Sequence, residues 1–206
     1  MDETDLILRK KALRREKIAL RKALAPEVRA AADSAINRQV IDLIRHSSYR
    51  SVAAYVSDGT EPDLSVAMQF ALTSGKRLFL PRFVDRDHYI FVEVNDLQFP
   101  ASHWGIPDPP ADAPAAPLEL LADSLWLVPG TAFDLHGRRL GRGGGIYDRI
   151  LAQKCGKTYG IYYDVQRCPE VPVESNDRPT DAVVTELGVL DLEKDASAFA
   201  DVSKQA

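Results

Sequence analysis

The stretch from Ser124 to Leu151, SLWLVPGTAFDLHGRRLGRGGGIYDRIL, constrains the fold more than any other part of the chain. A short apolar run, Ser124 to Val128, has the length of a buried strand, and a helix-like segment from about Ile146 to Lys154 leads out. Five glycines fall between Gly137 and Gly145, with Arg138, Arg139 and Arg142 among them. Glycine admits positive φ and lets backbone approach a ligand closely. Successive N–H groups in such a turn form an anion-binding concavity, and arginine forks suit phosphate oxygens. The start of the following helix adds its positive end. The segment therefore reads as a phosphate-binding strand–loop–helix with an acid, Asp148, placed to hold magnesium. The plainer alternative is a tight turn with solvated arginines. Neither generic phosphate template settles the matter: no Gly-Lys-Ser/Thr occurs, and the last glycine of GxGxxG would fall at Ile146.

The remaining segments alternate between helix and strand. Leu6 to Leu24 predicts a helix with a partial apolar face of Leu6, Leu13, Ile18, Leu20 and Leu24, ended by Pro26. Pro26 then opens a second helix to about residue 46, with Val28, Ala32, Ile36, Val40 and Ile44 at helical spacing. Strands are expected at Ser51–Val56, Arg77–Leu80 (stopped by Pro81), Tyr89–Val94, Thr158–Tyr163 and Asp181–Thr185, and a helix from Pro62 to near Gly75. Six prolines between Pro100 and Pro117 predict a surface loop, and the polar stretch after Leu192 predicts a frayed tail. This order implies an α/β fold: one domain over residues 1–206, with a mainly parallel Rossmann-like sheet flanked by helices, an N-terminal helical pair and a flexible tail from about 193. Ligands of such sheets sit beyond the carboxyl ends of strands, where the turn after Val56 and the loop after Val128 both lie.

Composition excludes several classes. Hydrophobic residues are 45% and charged residues 27% of the chain, typical of a soluble domain. No apolar run is long enough to span a membrane, and the charged N-terminus has no secretory h-region. Two cysteines, Cys155 and Cys168, fit free thiols in a reducing cytoplasm. Nine Lys/Arg against two Glu lie between Arg9 and Arg29. No aromatic residue interleaves them, which argues against nucleic-acid binding. The basic helix either presents a solvated face or supplies phosphate ligands to the glycine loop.

The chain resembles the 5-formyltetrahydrofolate cyclo-ligase family. That family carries PG-x-x-F-D-x-x-G-x-R-L-G-x-G-x-G-x-Y-D, matched here by Pro129, Gly130, Phe133, Asp134, Gly137, Arg139, Leu140, Gly141, Gly143, Gly145, Tyr147 and Asp148. Lys10 with Arg14, the stretch YVSDGTEPD, Leu80-Pro81-Arg82, Trp104 to Pro107, Pro172 and Asn176-Asp177 extend the resemblance over about residues 10 to 187. Two positions depart: Ile146, where the family is usually aromatic, and Thr60, where acids are common.

The resemblance implies ATP-dependent conversion of 5-formyltetrahydrofolate to 5,10-methenyltetrahydrofolate, with magnesium. ATP would be bound by Lys10, Arg14, Arg139, Leu140, Gly141, Arg142, Gly143, Gly144, Gly145, Ile146 and Tyr147. Arg142 would act on the transferred phosphoryl group. The folate would meet Val56, Glu61, Trp104, Arg142, Gly143, Gly144, Gly145 and Ile146, and Asp148 and Asp177 would hold Mg2+. The expected partners are small molecules alone, in a cytoplasmic monomer without nucleic-acid or membrane contacts. The alternative within the family is a divergent member that uses ATP on another formamide or carboxamide. His103, His136 and both cysteines have no role in this scheme.

Overall fold

The computed structural model describes residues 3–85, 88–99, 108–153 and 156–192. The elements are α1 (Glu3–Lys22), α2 (Pro26–His46), β1 (Ser51–Ala53), α3 (Ser65–Thr73), β2 (Arg77–Asp85), β3 (His88–Val94), α4 (Leu118–Ala122), β4 (Ser124–Pro129), β5 (Ala132–Phe133), β6 (Arg139–Leu140), α5 (Ile146–Leu151), β7 (Thr158–Ile161), β8 (Ala182–Thr185) and β9 (Gly188–Asp191), with a 3-10 turn at Asp164–Gln166. Trp104 and His103, Cys155, and the tail from residue 193 lie outside the described residues. No described helix is long and apolar enough to cross a membrane.

Seven strands form one sheet in the order β3-β2-β1-β4-β7-β8-β9, and β5 and β6 form a separate hairpin. The inner pairs are parallel and the two edge strands, β3 and β9, antiparallel. Side chains alternate across the sheet as strand geometry requires. Val52, Leu78, Leu80, Leu125, Leu127, Ile161 and Val184 pack under α2 and α3. Ala53, Phe79, Trp126 and Val128 pack against α4 and α5 on the opposite face. Burial on both faces explains why these strands read as unbroken apolar runs.

Three sequence expectations fail for physical reasons. β2 does not stop at Pro81 but runs to Asp85. β1 pairs with β2 only as far as Phe79, so Pro81 lies where the strand has β3 alone as its neighbour, and one missing N–H costs no central ladder bond there. The proline-rich stretch is not free surface loop throughout: Ala115 bridges Val92 and the Ala116 N–H donates to the Phe91 carbonyl, covering the β3 edge. Thirdly, the most buried side chains of α1 are its cations, although Leu13 and Leu24 of the expected apolar face do pack against the core. Lys10, Lys17 and Arg21 are 5%, 8% and 2% exposed, whereas Leu20 is 39% exposed. The reason is what α1 lies against, as the site shows. Val28 of α2 is likewise exposed.

The order of strand addition reverses between the parallel β1 and β4, since β2 follows β1 outward on one side and β7 follows β4 on the other. The loops after these two strands diverge and leave a crevice at their carboxyl ends.

Candidate active site

The loop after β1 is stiffened by its own acid. One oxygen of Asp58, Oδ1, accepts from the Thr60 N–H and hydroxyl at 2.8 Å each and from the Glu61 N–H at 3.0 Å. The Ser57 hydroxyl donates to the Glu61 carbonyl at 2.8 Å, and the Tyr55 hydroxyl to that of Pro62 at 2.9 Å. Such Asx geometry fixes a turn locally. It presents Glu61, only 8% exposed, to the crevice.

The loop after β4 divides into two parts. The first is scaffold. Asp134 is fully buried and accepts from the N–H groups of His136, Arg138 and Val171 and from the Arg138 guanidinium. Gly137, at φ +73°, closes this turn, and a Cβ there would lie 2.5 Å from the Thr180 carbonyl oxygen. The second part faces the crevice. Gly143 and Gly145 take φ of +105° and +63°, so the chain folds back on itself before α5. Arg14 reaches across from α1 and donates to the Gly141 carbonyl at 2.8 Å. α5 has 6 residues, not the nine expected from the sequence, which is less than two turns. Its dipole is correspondingly weak, and side-chain cations carry the positive field.

Those cations come largely from α1. Lys10, Arg14, Lys17 and Arg21 fall at spacings of four, three and four, on one helical face; Lys10 and Arg14 line the cavity, while Lys17 meets the Val165 carbonyl. Lys10 donates to Asp177 at 2.6 Å and lies 3.4 Å from Glu174. Arg21 donates to the Thr60 hydroxyl at 2.8 Å and lies 3.8 Å from both Asp58 and Glu61. Burying a charge costs several kcal/mol unless it is paired, and these acidic partners explain why a basic face can turn inward. The pattern 10/14/17/21 is the signal for Arg21, which lies behind Asp58 and Glu61 and which the motif match passes over.

Three further ion pairs complete the site. Arg142 reaches both Asp58 and, at 3.1 Å, Glu61. Arg139, 4% exposed, donates to Asp148 at 2.6 Å and to the Arg178 carbonyl at 3.1 Å. Arg139, expected at the phosphates, lines the cavity, and its guanidinium braces Asp148 there. The Arg178 N–H also donates to Asp148, at 3.2 Å, which brings the segment of Asp177 against α5. Lys10, Arg14, Val56, Glu61, residues 139–148 and Asp177 all line one cavity of about 890 Å3. That is the upper part of the ~300–1,000 Å3 range for single small-molecule sites. Phe83, Tyr89 and Asp108 also line it and had no motif to announce them, and so does Asp58, which lies within YVSDGTEPD but is assigned no role there. His136 is exposed, and burial pushes the Cys168 thiol up to about 11, so neither contradicts its expected lack of a role.

Electrostatics differ sharply between the two acids of the first loop. Burial pushes the Glu61 carboxyl above its ordinary range, against the pull of Arg142 and Arg21. Burial also acts on Asp58, but the Thr60 hydrogen bonds and the guanidinia of Arg142 and Arg21 outweigh it and hold the carboxyl at about 2. Because the folded value lies below the unfolded one, this stabilisation is complete above about pH 4 and is lost as pH falls through 2. With solvent screening allowed for, Asp58→Asn should reduce the stability lost between pH 4 and pH 2 by about 1 kcal/mol. Urea unfolding of both proteins across that interval measures it, and equal losses would contradict the pairing.

A fit to nucleotide and metal is visible in the same residues. The Tyr147 hydroxyl is buried on the cavity wall with no hydrogen-bond partner among the described residues, and burial raises its pKa far enough to keep it a neutral donor. The bonds to Asp148 fall on Oδ1 and those to Asp177 on Oδ2. Each carboxylate thus has a second oxygen to offer a hard cation, and magnesium commonly takes one or two protein carboxylates with phosphates completing its shell.

Residues 7–186 match the 5-formyltetrahydrofolate cyclo-ligase family. A mitochondrial 5-formyltetrahydrofolate cyclo-ligase of Arabidopsis thaliana is 31% identical, over 93% of this chain and 79% of its own. The mouse 5-formyltetrahydrofolate cyclo-ligase is 27% identical, over 86% and 93%. Among solved structures, the 5,10-methenyltetrahydrofolate synthetase of Aquifex aeolicus superposes with a TM-score of 0.72 at 29% identity, covering 89% of this chain and 92% of that one.

Proposed function

The chain belongs to the 5-formyltetrahydrofolate cyclo-ligase family, an ATP-dependent ligase family, and we propose that it closes 5-formyltetrahydrofolate to 5,10-methenyltetrahydrofolate in the cavity at the β1/β4 switch point. The observation that carries this reading is the meeting there of Glu61 and Val56 from one loop with Arg142 and the glycine turn from the other. A formamide oxygen is a poor leaving group. Its attack on the γ-phosphate of ATP breaks the phosphoanhydride and expels ADP, and the oxygen becomes a phosphate ester. N10 then attacks the activated carbon, phosphate leaves with that oxygen, and the N10 proton is lost.

The protein's task is to position these groups and neutralise charge. In this reading Lys10, Arg14, Tyr147 and the backbone from Leu140 to Ile146 receive the triphosphate. Glu61 accepts from N–H donors of the reduced pterin, and its burial makes each such bond strong. Arg142 sits between Glu61 and the glycine turn, so it faces the transferred phosphoryl group. Asp148 and Asp177 would hold Mg2+, which neutralises phosphate charge when bound; Arg139 and Lys10 orient those two carboxylates. We place the enzyme in the cytoplasm as a monomer with small-molecule partners alone. The alternative, a relative acting on another formamide or carboxamide, rests on Ile146, which puts an aliphatic side chain on the cavity wall where the family is usually aromatic.

Absorbance of methenyltetrahydrofolate, followed with and without ATP and magnesium, tests the proposal. Turnover dependent on both supports it, and none with 5-formyltetrahydrofolate refutes it. Glu61→Gln should raise the KM for the folate by roughly 10–100-fold, the cost of a charge-assisted hydrogen bond, with the KM for ATP within about 2-fold. Since Glu61 also holds Arg142, kcat should fall as well. Loss of nucleotide affinity with folate affinity retained would show that Glu61 belongs to the other substrate.

A further inference from the structure

We infer that Asp58 is a positioning residue for Arg142, a role that no motif in the chain assigns to it and that rests on the cyclo-ligase reading above. Its two oxygens have separate tasks. Oδ1 takes the three donors that build the turn, from Thr60 and Glu61. Oδ2 takes the Arg142 guanidinium, with Arg21 at 3.8 Å behind it. The four groups form an alternating cluster, two carboxylates and two guanidinia, in which Arg21 is 2% exposed and anchored on α1.

Substrate unbalances this cluster. In the free protein Arg142 divides its donors between Asp58 and Glu61. Once Glu61 turns its carboxylate to the pterin, its hold on Arg142 weakens. Asp58 does not line up with the same donors, because its Oδ1 is committed to its own turn. Its Oδ2 then remains the fixed acceptor that keeps a half-exposed, rotamer-rich arginine, 52% exposed at its side chain, aimed into the cavity. Without that tether the guanidinium must be ordered anew in each turnover, at a cost in entropy that falls on the chemical step.

Asp58→Asn separates the two tasks. Asparagine keeps the acceptor that builds the Asx turn and replaces only Oδ2 with an amide that repels the guanidinia. The expected result is a kcat lowered about 10–50-fold, KM for ATP within about 3-fold, and a melt and circular dichroism spectrum that still report a folded protein. Combined with Arg142→Ala, the substitution should add nothing further: the double variant turns over at the rate of Arg142→Ala alone, because residues acting as a unit are non-additive. A merely structural Asp58 predicts the opposite, a second loss multiplied onto the first. Unchanged kcat in Asp58→Asn, a raised kcat that marks the pair as inhibitory, or multiplying losses would each overturn the inference. If Asp58→Asn melts early, the same cycle is run with Asp58→Ser, which keeps a local turn acceptor. Wild-type turnover in the same assay keeps the two questions apart: an inactive wild type defeats the cyclo-ligase reading, while an active wild type with an indifferent Asp58 defeats only this one.

Discussion

Arg142→Ala should lower kcat on 5-formyltetrahydrofolate by about 100-fold or more, with the fold intact. Removing one fixed electrostatic stabiliser of a transition state costs on that order, about 3 kcal/mol. The structure explains why the loss should fall on turnover rather than stability. The side chain is half exposed at the cavity mouth, unlike the buried Arg21 and Arg139. Deleting it leaves Asp58 and Glu61 facing Arg21, so both carboxylates keep a cation, and the Glu61 carboxyl, which burial already pushes above its ordinary range, is pushed further up. Arg142→Lys retains charge but loses the planar guanidinium, whose Nη2 reaches both carboxylates, and it should recover only part of the rate. Steady-state kinetics beside thermal melts decide the point. Near wild-type turnover in folded Arg142→Ala would remove this residue from the chemistry.

How much of this was legible in the chain varies element by element. α2 was readable to the residue, because Pro26 fixes its start and Ala32, Ile36, Val40 and Ile44 mark the stripe that the sheet buries. β1 was overextended: Ala54, Tyr55 and Val56 are as apolar as a strand, but β2 and β4 pair only with Ser51–Ala53, and the chain leaves the ladder to form the acid-bearing turn. α1 misled through composition. Its leucines promise an apolar face, while the loops it crosses offer carbonyls and carboxylates, so charge pairing decides which side turns inward.

The site shows the same division. The glycine motif points to a phosphate loop, yet its middle, Phe133 to Gly137, is scaffold, while Pro129, Gly130 and the stretch from Arg139 to Asp148 line the cavity. The pairings Arg142 with Asp58, Arg139 with Asp148 and Lys10 with Asp177 join residues 84, 9 and 167 positions apart. The first and last depend on the switch point and the docking of α1, which local periodicity does not encode. Asp58 in particular looks like a turn-former, and it is one; its second oxygen acquires a partner only when the sheet brings the two loops together.

The metal proposal makes the most demanding forecast, because both acids are already paired. Asp148→Asn and Asp177→Asn should each raise the magnesium concentration needed for half-maximal activity, by about 10-fold or more, since an outer partner or a ligand of a metal commonly contributes that much. The double variant should cost less than the product of the two, as expected of ligands sharing one ion. Stability should separate them. Asp148 neutralises Arg139, which is 4% exposed, so its loss leaves a buried cation with the Arg178 carbonyl and the Tyr147 ring as neighbours. Breaking a buried pair costs ~3–5 kcal/mol, and asparagine, which keeps an acceptor, should cost somewhat less, on the order of 2 kcal/mol. Asp177 neutralises Lys10, which keeps Glu174 at 3.4 Å, so Asp177→Asn should melt closer to wild type. A simple acid at a helix start would instead lose only about 0.3–1 kcal/mol on neutralisation and leave metal demand unchanged. Magnesium titrations of activity, set against denaturant unfolding of the same proteins without magnesium, keep the two effects distinct. If both single variants retain wild-type magnesium dependence while Asp148→Asn is destabilised, these carboxylates are braces for Arg139 and Lys10, and the metal is held elsewhere.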